Sequence, residues 1–134
     1  MKIKFVEMDH IVIRCKDVER QLEFYSEILG LEPYRVEEFR SGKVMFPSVR
    51  VNAGMIIDLF PRPNEQPAGD GPRNLDHYCL TIEPTEFNKL AAYLRDRGVT
   101  VEGEPRLRSG ARGDGYSMYV RDFEENRIEL RYYE

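Results

Sequence analysis

The sequence predicts an α+β fold in which two βαβββ repeats form curled mixed sheets around a shared cavity. The main observation is an internal repeat, because Asp-His followed by strand-forming residues starts at position 9 and again at position 76. Each copy ends with a carboxylate between aliphatic residues, Asp58 in the first and Glu129 in the second. Short strands around two helices predict sheets that each bury one face against a helix. The other face of each sheet is then free to line the cavity.

Equivalent residues of the two copies are separated by a nearly constant number of positions. The only histidines of the chain, His10 and His77, are 67 positions apart. Three later pairs are 68 positions apart, so the second copy holds one inserted residue: Leu22/Leu90, Tyr25/Tyr93 and Gly30/Gly98. We therefore expect a single domain over 1–134, made of half-repeats 1–60 and 75–134. The proline-rich and glycine-rich segment 61–74 is the predicted linker between them.

The first half-repeat begins with a Val- and Ile-rich segment, 5–15, that predicts a strand. Asp17 is a suitable N-cap for a helix that runs to about Leu29, with Gly30 as its C-cap. Turn residues then separate three predicted strands, near 34–40, 43–51 and 54–60. The apolar stripe of the helix consists of Val18, Leu22, Tyr25 and Leu29.

The second half-repeat follows the same order. A strand at 75–82 leads into a helix near 85–97, which Gly98 ends. The apolar face of this helix consists of Phe87, Leu90, Ala91 and Leu94. The remaining predicted elements are a weaker strand at 101–107, a polar glycine-rich loop at 109–115, and strands at 116–121 and 127–133.

Composition and charge exclude several classes of function. The chain has 134 residues, enough for one domain with a hydrophobic core. It is 41% hydrophobic with a formal net charge of −4, and the absence of a basic stripe argues against nucleic acid as a partner. No apolar run approaches the length of a membrane span, and the N-terminus lacks the apolar core of a signal peptide. Two cysteines, Cys15 and Cys79, do not make a disulfide framework, which favours free thiols and a cytoplasmic location.

Two half-repeats that each supply an imidazole and a carboxylate suggest one shared metal site. Its predicted ligands are His10, Asp58, His77 and Glu129, which suit a borderline divalent cation. Four ligands leave open positions only at five- or six-coordination, which indicates Ni, Co, Mn or Zn at higher coordination rather than a closed structural zinc site. Side chains alternate across a strand, so Asp9 and Asp76 are poor ligand candidates and are expected at the outer surface or in the preceding turn.

Each candidate ligand also has a purely structural interpretation. A single histidine on a strand can be a hydrogen-bonded core residue. Asp58 must be paired, protonated or metal-bound, because an unpaired buried carboxylate is heavily penalised. Glu129 shares a strand face with two arginines and could belong to a solvated, ion-paired surface. Cys79 lies on the face of His77, where a buried small thiol is the alternative to a role in the site.

At these residues the chain resembles the vicinal oxygen chelate superfamily. That superfamily includes glyoxalase I, bleomycin-resistance proteins, fosfomycin-resistance thiol transferases, methylmalonyl-CoA epimerases and extradiol dioxygenases. The resemblance covers essentially the whole chain. It is carried by the Asp-His pairs at 9–10 and 76–77, by residues 24–31, and by residues 117–122 leading to 128–130. It implies a glyoxalase-like fold and a homodimer.

The resemblance also implies roles for particular residues. Glyoxalase I implies the same four metal ligands, with Glu129 or Asp58 as the base, although that family usually has Glu where this chain has Asp58. Thiol transferases and extradiol dioxygenases imply only the two histidines and Glu129. A bound Asp58 therefore counts against Fe(II) and dioxygenase chemistry, which needs open positions on the metal.

The thiol transferases further imply substrate contacts at Ser117 and Tyr119, whose alternative role is that of ordinary strand formers. Arg112 and Arg121 are candidates for binding a substrate anion, with a solvated surface position as the alternative.

The expected function is that of a metal-dependent glyoxalase-like lyase or isomerase acting on a small substrate chelated through vicinal oxygens. Three alternatives stay open at this point. They are a metal-free drug- or metabolite-binding protein, a thiol transferase, and a metalloprotein whose metal only stabilises the fold.

Overall fold

The computed structural model describes residues 1–67, 69 and 75–134, which form two compact units, 1–66 and 67–134. Each unit contains one four-stranded mixed sheet, so the predicted α+β class with two repeated β-rich units is confirmed. Within the predicted linker 61–74, residues 68 and 70–74 lie outside the described residues. That boundary and the shared cavity therefore stay predictions.

The sheet of the first unit has the order β1-β4-β3-β2. The first strand runs parallel to the last, while β3 is antiparallel to both of its neighbours. Residues 1–9 precede the first strand and are exposed, so the strand predicted from residue 5 starts later. The strands are β1 His10–Cys15, β2 Glu32–Tyr34, β3 Ser48–Asn52 and β4 Met55–Pro61.

The first helix is α-helical only in its first part. Helix α1 spans Val18–Leu22 and continues as a π-helical segment, Glu23–Ile28. The Asp17 carboxylate accepts a hydrogen bond from the Arg20 N–H at 3.1 Å, which confirms the predicted N-cap. In the π-helical segment Ile28 is buried, whereas Leu29, the last residue of the predicted stripe, is only half-buried.

The strand predicted at 34–40 is wrong. Only Glu32–Tyr34 pairs with β3, and a short helix α2, Val36–Arg40, follows. Two glutamates in the first turn of α2 favour helix, because their negative charge complements the positive end of the helix dipole. The next strand also begins at Ser48 rather than at residue 43.

The second unit repeats the same strand order as β5-β8-β7-β6, again with the first strand parallel to the last. Helix α3, Phe87–Asp96, confirms the predicted helix and buries Phe87, Ala91 and Leu94. The strands are β5 Tyr78–Thr81, β6 Thr100–Gly110, β7 Gly113–Arg121 and β8 Arg127–Tyr132.

The predicted glycine-rich loop at 109–115 is mostly strand. Strands β6 and β7 are separated by only two residues, Ala111 and Arg112, and Gly113 takes φ of 94° directly after this turn. A Cβ on Gly115 would lie 2.8 Å from the carbonyl oxygen of Tyr132. Gly115 therefore permits close contact between backbones rather than loop flexibility.

Both cysteines are free thiols, as predicted. Cys15 is buried, but Cys79 is exposed, so the expectation of a buried thiol at that position is wrong. In the part of the chain that the structure describes, no helix has the length and apolar character needed to cross a membrane.

Candidate functional site

In the first unit, the predicted ligands His10 and Asp58 lie on neighbouring parallel strands. Asp58 is the register partner of Val12, two residues beyond His10, so both side chains lie on one face of the sheet. The imidazole Nε2 is 3.9 Å from the Asp58 Oδ2. The other oxygen, Oδ1, accepts a hydrogen bond of 2.6 Å from the buried Ser48 hydroxyl. Asp58 is only 5% exposed, and this pairing satisfies one of its oxygens while the other faces His10.

The second unit repeats the arrangement with His77 and Glu129. The imidazole Nε2 is 3.2 Å from the Glu129 Oε1, and Glu129 is 5% exposed. Glu129 lies on the last strand of its sheet and His77 immediately precedes the first strand. The parallel pairing of first and last strands therefore brings an imidazole to a buried carboxylate in each unit.

An aspartate directly precedes each histidine in the sequence and lies within hydrogen-bond distance of the histidine Nδ1. Asp9 lies 2.7 Å from the Nδ1 of His10, and Asp76 lies 2.7 Å from the Nδ1 of His77. The hydrogen bond from Asp9, aided by the charge of Asp58, raises the pKa of His10, although burial opposes it. Both aspartates are exposed, as predicted. They also fix each imidazole with its Nε2 toward the carboxylate, a role that strand alternation alone did not suggest.

Glu129 is ion-paired with an arginine of its own strand face, as its structural interpretation allowed, but this pair is buried rather than solvated. The Oε2 of Glu129 accepts hydrogen bonds from the Nε and Nη2 of Arg131 at 3.0 and 2.7 Å. Arg131 is itself only 4% exposed. Burial raises the pKa of Glu129, but the hydrogen bonds and charge of Arg131 outweigh it and hold that pKa below its ordinary value. The face around Glu129 is thus ion-paired but buried. The position of Arg131, two residues after Glu129 on the same strand face, indicates the pairing in the sequence but not its burial.

The two predicted substrate contacts on β7 lie beside this pair. Tyr119 is the register partner of Glu129, and its ring meets the edge of the His77 ring at a centroid distance of 5.2 Å. Ser117 is the register partner of Arg131 and is fully buried. Its hydroxyl accepts a hydrogen bond of 3.0 Å from Arg108. Direct substrate contact by either residue stays a prediction.

The two arginines predicted to bind a substrate anion are already engaged. Arg121 forms two hydrogen bonds to Glu102, at 2.8 and 3.3 Å, and lines a cavity of about 300 Å³ together with Thr100 and Phe123. Arg112 lies in the β6–β7 turn, and its guanidinium stacks on a tyrosine ring at 4.5 Å. Their proposed contact with a substrate remains untested.

The structure thus brings the four predicted ligands together as two pairs. Across residues 1–67, 69 and 75–134, no group of three or more His, Cys, Asp or Glu side chains forms a candidate metal cluster. Each pair nevertheless fits a divalent metal in its chemistry. It offers an imidazole Nε2 and a carboxylate oxygen directed toward each other, with the remaining atoms of both groups held by neighbours. The complete four-ligand set stays a prediction.

Comparison with known proteins identifies one superfamily. The sequence model of the Glyoxalase/Bleomycin resistance protein/Dioxygenase superfamily matches residues 7–130. The chain is 31% identical over 135 residues to the glyoxalase domain-containing protein RDO1 of Mycosarcoma maydis, covering 95% of this chain and 68% of that protein. It is 26% identical over 126 residues to the virulence protein STM3117 of Salmonella typhimurium, covering 94% and 83%. A solved glyoxalase/dioxygenase structure from Nostoc punctiforme shares its fold, with a TM-score of 0.74 at 21% identity over 98% of both chains.

Proposed function

Because the chain belongs to the Glyoxalase/Bleomycin resistance protein/Dioxygenase superfamily, we propose that it is a metal-dependent glyoxalase-like enzyme. It would carry out lyase or isomerase chemistry on a small substrate that presents two vicinal oxygens. One observation carries the proposal: each unit holds a histidine fixed at Nδ1 by an aspartate, with Nε2 directed at a buried carboxylate. Metal-binding histidines commonly donate their other ring N–H to a carboxylate in this way.

The proposed ligands are His10, Asp58, His77 and Glu129, and the proposed metal is Ni, Co, Mn or Zn. When bound, such a cation supplies Lewis-acid stabilisation of negative charge that develops on the substrate oxygens. Iron is less favoured, because a fourth ligand at Asp58 occupies a position that dioxygenase chemistry needs open.

The two carboxylates have different surroundings, which supports different roles. Arg131 holds Glu129 with two hydrogen bonds and keeps its pKa low, so Glu129 is a fixed ligand and a weak base. Asp58 is held through Oδ1 by the Ser48 hydroxyl, and its Oδ2 stands 3.9 Å from His10. We assign proton transfer to Asp58, the less tightly held of the two carboxylate ligands, and permanent metal ligation to Glu129.

Metal content per chain is the decisive test of the ligand set. The untagged protein would be analysed by mass spectrometry as wild type, His10→Ala, His77→Ala and Glu129→Ala, with Asp114→Asn as an exposed control on β7. We expect close to one ion per chain, lost in the three ligand variants and kept in the control. Two ions per chain would contradict a shared ligand set. No metal after reconstitution would refute the proposal and favour a metal-free binding protein.

The assigned roles are tested by turnover of the metal-loaded protein. Hemithioacetals, epoxides and acyl-CoA epimers are the substrates to screen, because each presents oxygens to a Lewis acid. Asp58→Asn should retain metal but lose proton transfer, whereas Glu129→Gln should lose metal first. Equal metal loss in both variants would remove the distinction between the two carboxylates.

We also propose a homodimer in the cytoplasm. The homodimer rests on the family resemblance, and the location rests on the two free cysteines. Light scattering on the purified chain would measure the assembly, and a monomeric mass would contradict the first of these statements.

A further inference from the structure

Several arginines lie on the strands of the second unit's sheet, and three of them are paired with carboxylates. These pairs are Arg131–Glu129 at 2.7 Å, Arg121–Glu102 at 2.8 Å and Arg127–Glu102 at 3.3 Å. Arg127 also lies 3.5 Å from Asp76. Positive charge at these three positions is therefore balanced within the protein.

Arg108 on β6 differs from these three. Its Nη1 donates hydrogen bonds to the carbonyl and hydroxyl oxygens of Ser117, at 2.8 and 3.0 Å, and its guanidinium lies over the Tyr119 ring at 4.6 Å. Among the residues that the structure describes, no carboxylate pairs with it. A guanidinium has five N–H donors, and the three on Nε and Nη2 have no acceptor in the described part of the chain. Arg108 is half-buried, so its unbalanced charge is partly removed from water.

Two side chains connect Arg108 to the histidine–carboxylate pair. The Tyr119 ring, on which Arg108 stacks, meets the edge of His77 at 5.2 Å. Ser117, whose hydroxyl accepts from Arg108, is the register partner of Arg131, which donates two hydrogen bonds to Glu129. Arg108 is therefore one side chain away from His77 and is connected to Glu129 through Ser117 and Arg131.

We propose that Arg108 binds the carboxylate of a small 2-hydroxy or 2-oxo acid at this pair. A planar guanidinium with unused N–H donors matches the geometry of a carboxylate, and it neutralises one negative charge. A phosphoryl group carries a charge of about −1.5 to −2, more than one guanidinium balances. The inference rests on the proposed function for the identity of the reacting oxygens, but binding of the anion by Arg108 does not itself require a metal.

The experiment combines one substitution with a change of ligand charge. Dissociation constants for sodium lactate, neutral lactamide and inorganic phosphate are measured by calorimetry on the full chain, as wild type and Arg108→Gln. Arg97→Gln is the matched control, because Arg97 also donates to a backbone carbonyl, at 3.1 Å, and stacks on a tyrosine ring, at 3.8 Å, but lies at the end of α3. Arg108→Lys keeps the positive charge and serves if the glutamine variant does not fold.

Charge-assisted hydrogen bonds predict that Arg108→Gln weakens lactate binding about 10-fold or more. Lactamide binding should not change, Arg97→Gln should match wild type, and Arg108→Lys should retain part of the preference for lactate. Equal affinity of the wild type for lactate and lactamide would overturn the inference. An unchanged preference in Arg108→Gln would do the same, and tighter binding of inorganic phosphate than lactate would overturn the carboxylate assignment.

The same titrations on chelator-treated protein separate this inference from the proposed function. If the protein takes up no metal on reconstitution but still prefers lactate through Arg108, the enzyme proposal is refuted and the anion site is supported. A chain that holds metal but shows no dependence on Arg108 refutes only the anion site.

Discussion

Residues that would not themselves bind a metal determine how the two imidazole rings are oriented. Asp76 holds the Nδ1 of His77 at 2.7 Å and also lies 3.5 Å from Arg127. It therefore determines which ring nitrogen faces Glu129. Loss of such an outer partner typically weakens metal affinity by about 10- to 100-fold.

Asp76→Ala should therefore weaken metal binding by about 10-fold or more without removing any ligand. Asp76→Asn keeps a hydrogen-bond acceptor but not the charge, so its effect should be smaller. Competition against a chromophoric chelator measures both affinities, and Asp114→Asn is the exposed control. Wild-type affinity in Asp76→Ala would show that His77 is oriented without this hydrogen bond.

Loss of one partner from the buried pair of Arg131 and Glu129 should destabilise the second unit. Arg131→Met leaves a buried carboxylate without its counter-charge, which costs about 3 kcal/mol in free energy of unfolding. Adding Glu129→Gln should recover much of that loss, because the unpaired charge is then removed. Urea denaturation at pH 7 measures both changes, and a double variant no more stable than Arg131→Met would contradict the explanation.

The same pair gives a pH dependence with a definite sign. The folded-state pKa of Glu129 is lowered, so the stability that the pair contributes is fully present above the unfolded carboxyl pKa, about 4.3. It is lost as the pH falls through the lower folded-state value. The destabilisation caused by Arg131→Met should therefore be smaller at pH 3 than at pH 7.

Cys79 should be a slow nucleophile although it is exposed. Burial of the thiol, together with the negative charge of Glu129, raises the pKa of Cys79 to about 11. At pH 8 roughly 0.1% of the thiol is then ionised, against roughly a quarter for an ordinary cysteine. Alkylation by iodoacetamide in chelator-treated protein should be on the order of 100-fold slower than for free cysteine. Glu129→Gln should speed it up, whereas Cys79→Ser should abolish labelling, because Cys15 is fully buried.

At the scale of the elements, the spacing of apolar residues predicts the structure well where a helix keeps regular α-helical geometry. Helix α3 buries Phe87, Ala91 and Leu94 as its pattern requires. The first helix departs from its stripe only after the π turn, which depends on tertiary packing. The loop predicted at 109–115 is mostly strand. The sequence alone does not show whether a glycine makes a loop flexible or lets two backbones approach closely.

Gly115→Ala tests this reinterpretation of the segment. An added Cβ would lie 2.8 Å from the backbone carbonyl oxygen of Tyr132, so the two strands must move apart. We expect a loss of about 1–3 kcal/mol in free energy of unfolding, measured by urea denaturation. Gly54→Ala is the matched control, because its Cβ would meet only the end of the flexible Glu7 side chain. A flexible-loop role for Gly115 would instead make both variants equally stable.

The candidate site was predictable in part, for reasons visible in the strand register. The internal repeat predicts His10, Asp58, His77 and Glu129, because the Asp-His pair and the carboxylate between aliphatic residues both recur in the sequence. The sequence indicated an ion-paired face around Glu129, but it did not reveal that the pair with Arg131 is buried or that Arg108 lies nearby. Their contacts depend on which residues oppose each other across β6, β7 and β8, and that register is set by the fold.

For the whole molecule, the repeated strand order has a chemical consequence. In each unit the first strand pairs in parallel with the last, and this pairing places a histidine against a buried carboxylate. Neither unit alone brings together more than one imidazole and one carboxylate of the predicted set. A divalent metal that requires all four ligands therefore depends on both units being folded.

Hydrogen exchange would show whether one ion serves both units. If all four residues bind the same ion, adding metal should slow exchange in β1 and β4 and in β5 and β8, with one common midpoint. His10→Ala removes a ligand from the first unit only, yet it should abolish the protection in both. Protection that survives in β5 and β8 of His10→Ala would mean that His77 and Glu129 bind metal without the first unit. In that case the two pairs are separate sites, and the shared ligand set is wrong.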